Sequence, residues 1–250
     1  MAPTLLITGA SRGIGAATAR LAARRGYDVA INYVSNPAAA EAVAADVRAV
    51  GQRALILQAD VASPDAIRAM FAAFDAQFGR LDAFFNNAGI LYPHARFMDI
   101  GEAQLDRMIA VNFKGAYLAG QKAARRMAKS LGGSGGAIVN MSSMGAKLGG
   151  AFECTDYGAT KGAIETLTIG MAKELAGEGI RVNAVRPGLI ATDIHASAGE
   201  PGRVERLMGS VPLGRAGTAE DVADAALWLL SDQAAYTTGV IIDVAGGRGI

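Results

Sequence analysis

The opening stretch, TLLITGASRGIGAATARLAARRG, restricts the fold more than any other part of the chain. An apolar run of strand character meets a glycine-dense turn and then an alanine-rich helix that ends at Gly26. That order begins a βαβ unit of the dinucleotide-binding kind. Gly9, Gly13 and Gly15 are spaced G-x-x-x-G-x-G, a departure from the commoner G-x-G-x-x-G. The physical work is the same: glycines allow the tight turn and let a helix amino end approach a pyrophosphate, whose charge backbone N–H groups and the macrodipole favour. The same residues would also serve a strand-to-helix joint that binds nothing.

The alternation continues to the end of the chain. Strands are expected at about Val29 to Tyr33, in RALILQADV, in LDAFFNNAG, in AIVNMSSMG, in IRVNAVRPG and in GVIIDV. Helical stretches separate them, including AAAEAVAADVRAVG, SPDAIRAMFAAFDAQFG, a helix from about Glu102, and AEDVADAALWLLS. Strands alternating with helices argue an α/β fold: a single-domain, Rossmann-type, doubly wound parallel sheet of about seven strands with helices on both faces. No linker or repeat interrupts residues 1–250, which are expected to form one dinucleotide-binding and catalytic domain. Hydrophobic residues are 51% and charged residues 19%, a globular profile rather than a disordered or membrane one. The net charge of +1 gives no electrostatic reason for a nucleic acid or membrane partner. The single cysteine, Cys154, cannot form an internal disulfide. With neither a basic leader before the strand at Thr4 nor an apolar run of about 18 residues, a cytoplasmic protein is expected.

The residues able to do chemistry lie at strand ends and on one helix. In CTDYGATKGAIETLTIGMAK, Cys154 to Lys173, Tyr157 and Lys161 are four apart and share a helix face. A fixed positive charge beside a phenol favours the phenolate and makes an acid/base tyrosine, although the same spacing also describes an ordinary surface pair. Ser142 and Ser143 end the fifth strand, at the crevice where open α/β sheets bind ligands. Asn112, inside a helix, needs a reason such as a kink, an oriented water or an inter-helix hydrogen bond. Asn86, Asn87, Ala88 and Gly89 close the fourth strand with small or amide side chains, suited to close ligand approach or to an irregular turn. Asp60 and Val61 end the third strand, where they border an adenine ring or begin the next helix, for which Ser63 is the better cap. Pro187 and Gly188 lead into LIATDIHASAGEPGR, a loop long enough to be a lid.

Taken together, T8-G-A-S-R-G-I-G15, N86-N-A-G89, Asn112, the Ser142–Ser143 pair, Y157-x-x-x-K161 and P187-G188 resemble the short-chain dehydrogenase/reductase family, in the same order over essentially the whole chain. The resemblance implies an NAD(P)-dependent oxidoreductase with an Asn-Ser-Tyr-Lys catalytic set. Tyr157 would be the acid/base, and Lys161 would lower its pKa and hold the nicotinamide ribose. Ser143, rather than Ser142, would bind the reacting oxygen, and Asn112 would orient a proton-relaying water. It further implies cofactor contacts from Gly9, Ser11, Arg12, Gly13, Ile14, Gly15, Asp60, Val61, Asn87, Ala88, Gly89, Tyr157, Lys161, Pro187, Gly188, Ile190 and Thr192. A zinc route is not expected, since His94, His195 and Cys154 lack ligand-like spacing. The two histidines are expected as solvated loop residues, with a place on the rim of the substrate pocket as the alternative, and Cys154 as a packing residue.

Cofactor choice, substrate and assembly are less constrained. No carboxylate lies from Asn32 to Asn36 to accept a ribose 2′-OH hydrogen bond, and Asp28 is at the wrong end of its strand. Arg12, just before a helix amino end, opposes the macrodipole by about 0.3–1 kcal/mol, a cost that a neighbouring anion would offset. Both favour NADP(H) over NAD(H), and arginine there resembles the NADP-using members of the family. The expected substrate is a small carbonyl compound or secondary alcohol. The family also includes 3-oxoacyl-carrier-protein reductases and sugar or polyol dehydrogenases, and Arg125, Arg126, Lys129 and Lys173 would supply a basic rim for an acidic carrier. A nicotinamide-binding sensor is the non-enzymatic alternative. The apolar GVIIDVAGGRGI, with the family's habit, implies a homotetramer.

Overall fold

A computed structural model describes residues 2–250 of the chain. Seven parallel strands form one sheet in the order β3-β2-β1-β4-β5-β6-β7. They are β1 (Thr4–Ile7), β2 (Asp28–Tyr33), β3 (Ala54–Gln58), β4 (Ala83–Asn86), β5 (Gly136–Met141), β6 (Ile180–Pro187) and β7 (Ile241–Val244). The connecting helices are α1 (Gly13–Arg24), α2 (Pro37–Ala49), α3 (Pro64–Phe78), α4 (Glu102–Ile109), α5 (Ala116–Met127), α6 (Met144–Leu148), α7 (Thr155–Leu175), α8 (Ile194–Ser197), α9 (Arg203–Leu207) and α10 (Ala219–Leu230). The expected seven-stranded doubly wound sheet is therefore what forms.

Alternation along each strand divides the core into two layers. Leu5, Ile7, Val29, Ile31, Phe85, Val139 and Val185 pack on one face against α1, α2 and α10. Leu6, Ala30, Phe84, Ile138 and Val182 pack on the other against α3, α5 and α7. Helix starts follow local chemistry: Asn36 and Ser63 accept from the backbone N–H groups of Ala39 and Ala66, with Pro37 and Pro64 next in line. Thr218 and Asp221 close a reciprocal capping box on α10. The loop after β6, read as a lid, carries α8 and α9 and bridges Ile190 to Gly217.

Strand order reverses between β1 and β4, and hydrogen bonds fix the crevice outside their carboxyl ends. The Thr8 hydroxyl accepts from the N–H groups of Asn87 (2.9 Å) and Ala88 (3.0 Å), while Asn87 Nδ2 donates to the carbonyls of Thr8 and Gly9. Asn32, buried in β2, accepts from Gly9 N–H at 3.0 Å and donates to the Leu57 and Ala59 carbonyls. Gly15 faces this knot: a Cβ there would lie 2.4 Å from the Gly9 carbonyl oxygen and 2.7 Å from Asn87 Nδ2. Gly15→Ala is therefore expected to force the turn and helix apart and cost about 1–3 kcal/mol, read by urea denaturation. An unchanged midpoint would mean that the turn tolerates a Cβ.

Candidate active site

Four elements bring the chemical residues together at the carboxyl edge of the sheet. Tyr157 stands in the first turn of α7, one turn before Lys161, and Ser143 precedes α6 just beyond β5. Lys161 is 2% exposed. Its Nζ donates to the Met141 carbonyl at 2.8 Å and lies 5.5 Å from the centroid of the Tyr157 ring. Burial alone draws the ammonium down from its ordinary value of 10.5 to about 8. Burial likewise pushes the Tyr157 phenol up to about 12, against the pull of a hydrogen bond with Ser143. The lowering of the phenol expected from Lys161 is not what the structure gives: desolvation outweighs the pull of Ser143 and Arg203, and Tyr157 holds its proton at neutral pH.

The two serines part company. Ser143 Oγ accepts from Gly145 N–H at 3.1 Å and also bonds Tyr157. Ser142, fully buried, donates to Glu165 Oε1 at 2.6 Å. Glu165 takes a two-pronged bond from Arg186 (2.7 and 2.8 Å), and Arg186 also reaches Asp243 at 2.7 Å. Burial raises the Glu165 carboxyl, but the bonds from Arg186 and Ser142 overcome it and hold the group below its usual range.

Asn112 lies in a π-helical turn, Ala110–Gly115, between α4 and α5. This is the local distortion that an asparagine in a helix calls for. Its amide is clamped by the Ile90 backbone, accepting from N–H at 2.8 Å and donating to C=O at 2.9 Å. Gly89 fills the space between two functional groups: a Cβ there would lie 3.4 Å from Asn112 Oδ1 and 3.5 Å from Lys161 Nζ. Asp60 accepts from Ala62 N–H and pairs with Arg107 at 2.8 Å, while the Val61 carbonyl abuts Gly115 of the π turn.

Several of the residues expected to contact a dinucleotide lie on the glycine turn and the loop after β6. Gly9 and Gly13 have φ of +65° and +53°, a region that favours glycine. Helix α1 begins with no side-chain cap from Arg12 and no acid in its first turn, leaving the amino end suited to a phosphate. Ser11 lies in this turn, and Ile14 packs beneath it. Thr192 comes down on the turn from the loop after β6, 3.9 Å from where a Gly13 Cβ would be. Pro187 ends β6, Gly188 N–H bonds the Val244 carbonyl, and Ile190 packs into the core. These features fit a pyrophosphate-bearing nicotinamide nucleotide.

Beside them opens a cavity of about 240 Å³, lined by Ser143, Tyr157, Leu91, Leu148, Cys154, Arg203 and Arg248 among others. Cys154 is buried and its thiol is pushed up to about 11 by desolvation, so it packs rather than reacts. The loop histidines are not solvated as expected. His94 Nδ1 sits 2.9 Å from Glu200, and His195, 7% exposed, bonds the Ile190 carbonyl through Nε2. The basic rim is also corrected. Helices α5 and α7 run against the strands, so Arg125, Arg126, Lys129 and Lys173 fall at the amino edge of the sheet. There Arg126 pairs with Asp75, and Lys129 lies against Gly179 ahead of β6.

Glu165, Arg186, Arg203 and Arg248 escaped the sequence reading, since charges distant in sequence carry no pairing signal. Asn140 also escaped, although an asparagine in the apolar run AIVNM was the available clue. It links Asn86 (3.0 Å) to Thr168 (2.9 Å) through the core.

A family model described as enoyl-(acyl carrier protein) reductase matches residues 9–248. The Escherichia coli (strain K12) protein named uncharacterized oxidoreductase YgfF is 49% identical over 243 residues, covering 97% of this chain and 98% of its own. L-rhamnose 1-dehydrogenase (NAD(P)(+)) from Sphingomonas sp. (strain SKA58) is 41% identical over 98% of this chain and 95% of its own. The solved 3-ketoacyl-(acyl-carrier-protein) reductase from Brucella melitensis complexed with NADH is similar at a TM-score of 0.91, with 33% identity, covering 99% of this chain and 98% of that one.

A buried lysine drawn down to about 8 has a consequence for stability. Between that pH and 10.5 the unfolded chain binds more protons than the folded one, so stability rises with pH across this window and the cost is fully present below it. Lys161→Met is expected to be more stable than the parent at neutral pH by about 1–3 kcal/mol, with the gain shrinking in alkali. Urea titrations at both pH values check this, and a destabilised variant at neutral pH would contradict it.

Proposed function

The chain belongs to the short-chain dehydrogenase/reductase family of oxidoreductases, and from that premise we propose that it is an NADP(H)-dependent reductase of small carbonyl compounds, working in reverse on secondary alcohols. The observation that carries the reading is the convergence of Ser143, Tyr157 and Lys161, with Asn112 behind Gly89, beside one cavity at the carboxyl edge of the sheet. When bound, the nicotinamide supplies the hydride. As the carbonyl carbon gains the hydride's electron pair, negative charge develops on its oxygen. Ser143 donates a hydrogen bond to that oxygen and Tyr157 delivers the proton, completing the alcohol. Lys161 stabilises the phenolate left behind and bonds the nicotinamide ribose, and Asn112 orients the water that returns a proton. Residues 1–250 act as one unit in this reading, in the cytoplasm.

NADP(H) is preferred because Asn32 is committed to Gly9, no carboxylate follows it as far as Asn36, and exposed Arg12 stands at the start of α1. The relatives' names point both ways, to NAD(P)+ and to NADH. Reduction of a 3-oxoacyl group on a carrier protein is the second reading, supported by the name of the Brucella relative. The four basic residues expected to receive an acidic carrier, Arg125, Arg126, Lys129 and Lys173, lie instead at the far edge of the sheet. A sensor role would leave the four-residue set without purpose. A homotetramer is supported by β7, an edge strand flanked by exposed Val240 and Ile250, and light scattering that gives a monomer mass would oppose it.

With a ketone panel, Tyr157→Phe is expected to lose at least about a hundredfold in kcat while keeping cofactor binding and fold. Near-parental turnover would overturn the assignment. On one good substrate NADPH is expected to surpass NADH in kcat/KM, and Arg12→Ala to weaken NADPH binding more than NADH binding. A clear advantage for NADH would contradict the cofactor assignment.

A further inference from the structure

The cavity beside Tyr157 has a charge left over. Glu153 on its wall is held by two guanidinium groups, Arg203 (2.5 Å) and Arg206 (2.7 Å), and Arg206 is also bound by Glu200 at 2.5 Å. Burial raises the Glu153 carboxyl, but these bonds outweigh it and keep the group ionised. Glu153 is therefore spent on the arginines of α9 and is poorly placed to neutralise another cation.

Arg248, in the turn after β7, lines the same cavity from the opposite end of the chain. Among the described residues its guanidinium forms no ion pair or hydrogen bond. It is partly buried. Burial draws it down, and the nearby Arg203 and Arg206 add to that effect while Glu153 opposes it. A partly desolvated guanidinium facing like charges is unfavourable unless an anion completes it. Arg203 also lines the cavity, and its buried Nε makes no hydrogen bond, with the Glu200 carboxylate 4.0 Å away. The rest of the lining, with Leu91, Met144, Leu148 and Cys154, is apolar and suits a short carbon chain.

We propose that Arg248, with Arg203 beside it, forms an anion subsite, and that the enzyme's substrates are oxo acids or hydroxy acids whose carboxylate is held there while the carbonyl or hydroxyl meets Ser143 and Tyr157. The substrate class rests on the reductase reading, but the subsite stands on its own as a binding site. A planar, two-pronged guanidinium matches a carboxylate, and one charge-assisted pair in a confined cavity separates an acid from its ester strongly. Arg248 acts here as a specificity determinant and takes no part in proton transfer.

The test uses oxo acids of four to six carbons, each paired with its ethyl ester, and the full-length protein. The parent is expected to reduce at least one acid with kcat/KM at least tenfold above that of its ester. Arg248→Gln is expected to lose at least tenfold more on the acid than on the ester, chiefly through KM, and Arg248→Lys to recover part of the loss. Equal or better activity on the esters would overturn the subsite while leaving the reductase reading intact. If nothing in the series turns over, calorimetric titration of the same acids and esters decides the subsite independently of catalysis. Tighter binding of an acid that Arg248→Gln abolishes supports it, and equal or absent binding of the acids overturns it. Thermal melting of each variant confirms the fold.

Discussion

Burying an ammonium at the end of a strand is the constraint on which the rest of this structure depends. Among the described residues Lys161 has one hydrogen-bonding partner, the Met141 carbonyl, at the carboxyl end of β5. A single carbonyl does not repay the hydration that the ammonium gives up, so its placement must come from rigid surroundings. Those surroundings are polar and fully paired. Asn140 ties β5 to Asn86 of β4 and to Thr168 of α7, and Ser142, Glu165 and Arg186 tie the next residues of β5 to α7 and β6. Both ends of the Lys161–Met141 contact are thereby fixed to the same core.

This explains a division of labour along the chain. In Asn-Met-Ser-Ser, residues 140–143, successive side chains alternate sides as a strand requires. Asn140 and Ser142 are buried and serve the framework, the Met141 carbonyl holds Lys161, and Ser143 emerges beside Tyr157. A slip of one residue would exchange framework and chemistry, so the buried pairs also fix register. The π turn plays a similar part for Asn112, with Gly115 allowing the turn to meet Val61 and Gly89 leaving room toward Lys161.

Much of this was legible beforehand. The strand count, the glycine turn and the grouping of Ser143, Tyr157 and Lys161 follow from local patterns, because strand ends in a parallel α/β sheet share one edge. The sign of the Tyr157 shift was not legible: spacing places a cation nearby but says nothing of how much water two groups lose on burial. Arg125, Arg126, Lys129 and Lys173 were misplaced as a rim for a related reason, since a helix's charges were counted before its direction against the sheet was considered. Arg248 and the Glu153–Arg203–Arg206 cluster were out of reach altogether. Residues 153, 203 and 248 meet only because the loop after β6 and the turn after β7 fold over the same strand ends.

Burial sets the proton balance of the Tyr157–Lys161 pair, leaving the phenol protonated and the lysine drawn down to about 8. The pH dependence of kcat/KM for carbonyl reduction tests it most directly, since that profile reports the essential acid and base. A decline as pH rises through about 8, the value to which burial draws Lys161, is the result expected. A profile that stays flat from about pH 6 to pH 10 would contradict the account, because in that range no group governing the reaction would be titrating.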